Sequence, residues 1–252
     1  MILSLGVDGG RVRHVCPFSE GIISSRLFPL QPDSRRFVPK SEQHSGRGGE
    51  LRIVLGVTGA SGAIYPLRLI ERLARRKDVE IHLILSRAGE KTLFLETGKR
   101  AADLKSHAKY SWPPEDISSP LASGSFRTDG MIVAPCSIHT MSAIACGISS
   151  NLIVRAADVI LKERRRLILA VRESPFHLGH LRTMATLAEM GAIIAPPVPG
   201  FYNAPRTIED LVDSSVDRML DLMGLPDDLA RRWNGPGRGQ QPAEEKDAEE
   251  ES

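Results

Sequence analysis

Four short runs of this chain are apolar almost throughout: LRIVLGV (51–57), VEIHLILS (79–86), GMIVAP (130–135) and RLILAVR (166–172). A strand with one wet face alternates apolar and polar residues. A run without that alternation needs cover on both faces. The cover is written between the runs as amphipathic helical pattern. From Ala63 to Arg76, Ile64, Leu67, Ile70, Leu73 and Ala74 recur at helical spacing, with Arg68, Glu71, Arg72 and Arg75 opposite. Further helices are predicted at IHTMSAIACGI (138–148), at NLIVRAADVILKERR (151–165) with Asn151 as N-cap, and at GHLRTMATLAEMG (179–191) with Gly191 as its stop. Another is predicted at TIEDLVDSSVDRMLDLMG (207–224), capped by Thr207 with Asp210 in its first turn. AIIAPPVP (192–199) reads as a short strand ended by prolines, as GMIVAP does. Strand and helix alternate, which implies an α/β fold around a mainly parallel sheet.

In such sheets ligands bind beyond the carboxyl ends of the strands, so the residues after each run carry the functional question. The first set is Thr58, Gly59, Ala60, Ser61 and Gly62, within GVTGASGAIYPLRL (56–69). Glycines admit close backbone approach, and the first N–H groups of the next helix suit an anion. The spacing is G-x-x-G-x-x-G and lacks a G-K-[ST] ending, so this is neither the dinucleotide fingerprint nor a P-loop. A tight turn with no ligand explains the loop alone equally well. The second set is APCSIHTMS, where Ser137, Thr140 and Ser142 cluster at a helix start. Cys136 as nucleophile with His139 as base is a rival reading, but no orienting acid is evident. The third set is basic. Arg155 and Lys162 share one helix face, and Arg172-Glu173 follow a buried strand directly. Arg forks phosphate well, and a neighbouring carboxylate can move a proton. The run Arg164-Arg165-Arg166 reads as a solvated face. Tyr202 in PGFYNAP and Arg218 on the last helix complete the set, while His177 and His180 lack the acid or Cys that a metal site needs. The sum is one hydroxyl-rich site and one cationic site with a carboxylate, suited to two anionic ligands or one long one.

Bulk properties narrow the classes. The chain has 252 residues, 41% apolar and 25% charged, enough for one large domain. A net charge of +2 gives no global argument for nucleic acid, and no apolar stretch approaches the ~20 residues of a membrane span. Cys16, Cys136 and Cys146 form neither a disulfide framework nor a metal set, which favours a reducing, cytoplasmic setting. Residues 1–50 lack sustained periodicity and read as a disordered extension. Its arginines would fit a mitochondrial presequence, against which Asp8, Glu20 and Asp33 count; a misassigned start fits equally. Residues 236–252 read as an acidic, solvated tail. The folded domain is expected at 51–235.

The stretches GVTGASGAIYPLRL, LILSRAGEKTLFLET, ASGSFRTDGMIVAPCS, NLIVRAADVILKERRRLILAVRESPFHLGHLRTM and GAIIAPPVPGFY run in order over most of residues 52–235. Together they resemble the flavin prenyltransferase family, the UbiX/Pad-type enzymes. The resemblance implies a Rossmann-like or flavodoxin-like three-layer sandwich. It implies transfer of a dimethylallyl group from dimethylallyl monophosphate to N5 and C6 of reduced FMN. The product, prenylated FMN, would serve a UbiD-type decarboxylase, and the enzyme would be a homododecamer with sites between subunits. Carried over by position, Thr58, Gly59, Ala60, Ser61, Ser86, Ser137, Ile138, His139, Thr140 and Arg155 would hold FMN. Lys162, Arg172, Tyr202 and Arg218 would grip the donor phosphate, with Glu173 as proton donor to it. Glu96 would be a second carboxylate near the flavin, and Ser61 would also lie near the ring. Ser123, Gly124 and Ser125 would line the cavity, and Trp233 would cover it. No metal is implied. Ile138 and His139 stand where many members have small residues or Lys, and Pro66 replaces a usual glycine. Two alternatives remain at this level: an FMN-dependent cysteine decarboxylase, whose PASANT signature is here PCSIHT, and a flavin carrier without catalysis. A second phosphate clamp would be superfluous in a carrier.

Overall fold

A computed structural model describes residues 50–201 and 203–226 of the chain. The extension at 1–50 (but for Glu50), the tail at 236–252, Tyr202 and Trp233 lie outside the described residues. Six strands, β1 (Leu51–Val57), β2 (Val79–Leu85), β3 (Tyr110–Trp112), β4 (Gly130–Cys136), β5 (Arg166–Val171) and β6 (Ile193–Ile194), form one sheet in the order β3-β2-β1-β4-β5-β6. Every pairing is parallel. The helices are α1 (Ile64–Ala74), α2 (Arg87–Thr97), α3 (Ala101–Lys105), α4 (Ile138–Ala145), α5 (Leu152–Lys162), α6 (Leu178–Glu189) and α7 (Ile208–Met223).

The apolar runs feed both faces because successive strand residues point opposite ways. Ile53, Leu55 and Val57 of β1 join α1 and α7 on one face, while Val54, between them, joins α4 and α5 on the other. The result is three layers. Arg68 and Arg72, placed by pattern on the solvent side of α1, instead bind α7. Arg68 pairs with Asp213 at 2.8 Å and Arg72 with Asp217 at 2.8 Å, leaving the Arg72 side chain 9% exposed.

Three boundaries differ from the pattern. Pro135 does not end its strand: β4 runs on to Cys136, with a register shift against β5 between Val133 and Cys136. A proline has no N–H for the ladder, so it sits where the pairing is interrupted. The strand after α6 is only Ile193–Ile194, because Pro196 and Pro197 cannot donate. α5 stops at Lys162, and Arg164 with φ 56 turns the chain out of the helix.

The strand order reverses direction between β1 and β4. The chain leaves β1 toward β2 on one side and leaves β4 toward β5 on the other, which opens a crevice beyond the carboxyl ends of these two strands.

Candidate active site at the carboxyl edge of the sheet

Thr58 stitches the crevice together. Its buried hydroxyl donates to the Pro135 carbonyl at 2.7 Å and accepts from the Ser137 N–H at 3.0 Å. This ties the end of β1 to the end of β4. Ser137 then caps α4: its oxygen accepts from the Thr140 N–H at 3.3 Å and its hydroxyl donates to Thr140 Oγ1 at 3.1 Å. Ile138 and His139 occupy the first turn, where backbone N–H groups have no intrahelical acceptor. Free N–H groups at a helix start suit an anionic group, and the His139 side chain there is exposed. Ser86 caps α2 in the same way, accepting from the Gly89 N–H at 3.0 Å.

α2 was missed in the sequence because its apolar pattern is thin; it buries only Gly89 and Leu93. Its function in the fold is to line the glycine loop. Ala88, Thr92 and Glu96 are four apart and so share one face. A Cβ on Gly59 would lie 2.5 Å from the Ala88 Cβ, so only glycine admits this approach. The Thr92 hydroxyl donates to the Gly59 carbonyl at 3.1 Å. Glu96 accepts from the Gly62 and Ala63 N–H groups at 2.9 and 2.8 Å. The N–H groups expected to await a ligand at the start of α1 are thus satisfied by a carboxylate of the chain itself. Burial pushes the Glu96 carboxyl up, but the Ser61 hydroxyl, the two N–H groups and the charge of Arg172 outweigh it and hold it below the ordinary carboxylate range. Ser61, Glu96 and Arg172 are therefore neighbours, although 111 positions separate the first from the last.

Arg172 follows β5, where its N–H donates to the Cys136 carbonyl at 3.0 Å. Glu173 is exposed and accepts from the Ser174 N–H at 2.8 Å. Cys136 is fully enclosed, and burial pushes its thiol up to about 12, so no thiolate forms at neutral pH and the nucleophile reading falls. His177 Nδ1 accepts from the His180 N–H at 3.3 Å and caps α6, a structural use of that pair. Among the described residues no His, Cys, Asp and Glu group could hold a metal ion. Among the same residues no helix is long and apolar enough to cross a membrane.

The remaining candidates gather elsewhere. Lys162 Nζ pairs with Glu163 at 2.7 Å, and Arg165 donates to the Gly124 carbonyl at 2.8 Å. Ser123, Gly124 and Ser125 thus lie against the end of α5, just before β5 begins. Arg155, higher on α5, donates to the Ala122 carbonyl at 3.2 Å and pairs with Asp158 at 2.7 Å. Arg166 aligns with Gly130 at the amino ends of the strands, and Val171 with Cys136 at the carboxyl ends. At about 3.3 Å per residue the strand separates the two groups by roughly 20 Å. One chain therefore brings Thr58, Ser61, Ser86, Glu96, Ser137, Thr140, Arg172 and Glu173 to the carboxyl edge, and Lys162 with Ser123–Ser125 to the amino edge. Arg218 is exposed on α7. Glu163 and Arg165 escaped the sequence reading because the charge run around them looked like a solvated face.

Residues 41–220 match the Flavoprotein family. Flavin prenyltransferase UbiX of Escherichia coli strain K12 is 47% identical over 186 residues, 73% of this chain and 98% of that protein. A solved UbiX structure, AnUbiX in complex with FMN and dimethylallyl pyrophosphate, is 47% identical with a TM-score of 0.71, covering 74% of this chain and 98% of its own. A dodecameric FMN-dependent UbiX-like decarboxylase from Escherichia coli O157:H7 is 44% identical with a TM-score of 0.72, covering 73% of this chain and 100% of its own.

Proposed function

The chain belongs to the flavoprotein family, among its UbiX-like flavin prenyltransferases, and from this we propose that it transfers a dimethylallyl group from dimethylallyl monophosphate to N5 and C6 of reduced FMN. The observation that carries the reading is the crevice beyond β1 and β4, lined by Thr58, Ser86, Ser137 and the first turn of α4, in a chain 47% identical to a UbiX. The donor set fits a flavin nucleotide: hydroxyls and the first N–H groups of α4 suit its phosphate.

In this reading Thr58, Gly59, Ala60, Ser61, Ser86, Ser137, Ile138, His139, Thr140 and Arg155 hold FMN. Reduced FMN supplies the electron-rich ring edge that accepts the allyl group. Lys162, Arg172, Tyr202 and Arg218 neutralise the donor phosphate, which is a poor leaving group without such charge. Glu173 hands that phosphate a proton, and Glu96 holds the Ser61 hydroxyl oriented toward the flavin. Ser123, Gly124 and Ser125 border the donor, and Trp233 covers it. The opposite-edge placement of Lys162 and Glu173 in one chain supports a site shared between copies, and the dodecameric UbiX-like relative supports a homododecamer. The recipient of prenylated FMN is a UbiD-type decarboxylase.

The test is anaerobic incubation of the protein with reduced FMN and dimethylallyl monophosphate, read by mass spectrometry. The expected product is FMN heavier by one prenyl unit. Absence of that adduct sinks the proposal. Glu173→Gln should retain FMN but slow transfer about 100-fold or more, the usual worth of a positioned acid; loss of FMN itself would remove the proton-donor role.

A further inference from the structure

The cationic end of α5 is not open. Lys162 Nζ lies 2.7 Å from Glu163 Oε1. That carboxylate fills the space directly over Gly124: a Cβ built there would collide with it and would lie 2.7 Å from Lys162 Nζ. The loop beside it carries two hydroxyls held by their own hydrogen bonds. Ser123 and Ser125 share a hydroxyl–hydroxyl bond at 2.8 Å, and the Ser125 N–H donates to Ser123 Oγ at 3.4 Å. Arg165 fastens the loop by donating to the carbonyls of Gly124 and Phe126 at 2.8 and 3.0 Å and to Thr128 Oγ1 at 3.1 Å. The other Glu163 oxygen stands 3.9 Å from Arg165 Nη2.

We propose that Glu163 is a built-in competitor for the donor phosphate, its carboxylate resting in the Lys162–Gly124 cradle until the phosphate displaces it toward Arg165. The inference rests on the reading of Lys162 and Ser123–Ser125 as donor contacts. The chemistry of the cradle favours exchange. It holds one ammonium, a backbone that only glycine exposes, and two small hydroxyls, which is a phosphate's set of partners as much as a carboxylate's. The pair is partly exposed, with side chains 46% and 35% accessible, so it is weak enough to open. Arg165 offers the displaced carboxylate a second cation within a side-chain rotation. The Lys162 bond, first among its causes, lowers the Glu163 carboxyl below the ordinary carboxylate range, as expected of a carboxylate resting on an ammonium. Glu163 would thus tune how tightly the donor binds without touching the reacting atoms, which makes it a positioning residue acting through Lys162.

Steady-state kinetics of the full chain with reduced FMN test this, with dimethylallyl monophosphate as donor and inorganic phosphate as competing probe. Glu163→Gln should lower both the donor KM and the phosphate inhibition constant about twofold to fivefold, the worth of one exposed ion pair, with kcat nearly unchanged. Glu163→Asp, which keeps the charge, should stay near the parent values. An unchanged or raised KM in Glu163→Gln, or an Asp variant that behaves as Gln does, overturns the competitor. Lys162→Met separates the two levels: a KM raised tenfold or more upholds the donor site, whereas an unchanged KM overturns that site and the competitor with it.

Discussion

Glu96 shows how one carboxylate can serve fold and site together. It closes the N-terminus of α1 through Gly62 and Ala63, and it holds Ser61 by the hydroxyl. A carboxylate at a helix N-terminus gains from the helix dipole as well as from its two hydrogen bonds. Its folded-state pKa lies below its ordinary value of 4.5, so its stabilisation is complete above that value and is lost as pH falls through the folded one. Glu96→Gln should therefore cost roughly 0.5–1 kcal/mol at neutral pH, allowing for solvent screening of an exposed group. Urea midpoints of parent and variant, followed from neutral to acid, should converge as pH falls below 4.5 and through the lowered folded-state value. A gap that stays constant over that range would mean the charge contributes nothing and only the hydrogen-bond geometry matters.

At the scale of elements, the placement of α2 along the glycine loop is what turns a tight turn into a shaped wall. Gly59 sits under Ala88, and neither backbone can yield far because Thr92 also bonds the Gly59 carbonyl. Gly59→Ala should lift α2 off the loop, at a cost of about 1–3 kcal/mol as for an overpacked core, and should weaken FMN retention in parallel. Thermal melting with and without FMN would check it; a variant with parent stability and parent flavin content would show that the contact is loose. The unalternated runs at 51–57 and 166–171 declared themselves in the sequence, because burial on both faces leaves no polar position to confuse the pattern. So did the capping residues Asn151 and Thr207, each of which accepts the N–H its type predicts. α2 did not, since a helix that buries two residues leaves almost no periodicity. Its signal was subtler: a small residue, a hydroxyl and an acid spaced by four. The carboxyl-edge hydroxyls at Thr58, Ser86 and Ser137 were legible as strand-end residues. The capture of the α1 N-terminus by Glu96 was not, because it depends on how α2 crosses the loop.

Across the whole molecule, the parallel sheet imposes a geometric demand on the chemistry. Each crossover leaves the carboxyl edge and returns to the amino edge, so Lys162, the last residue of α5, and Glu173, just past β5, are held apart by the length of a strand. No side chain spans roughly 20 Å, so a site using both must take them from two copies joined head to tail, the arrangement that closes into rings. This separation gives a direct test of the shared site. At donor concentrations well below KM, Lys162→Met and Glu173→Gln should each keep about a tenth of the parent activity or less. Co-expressed with different tags and purified through both, they should recover about a quarter of the parent activity, because random pairing of copies leaves both edges intact at one site in four. Recovery to that level requires that the two residues come from different chains. A mixed sample no more active than either variant by itself would place both residues in the same chain's site and overturn the shared one.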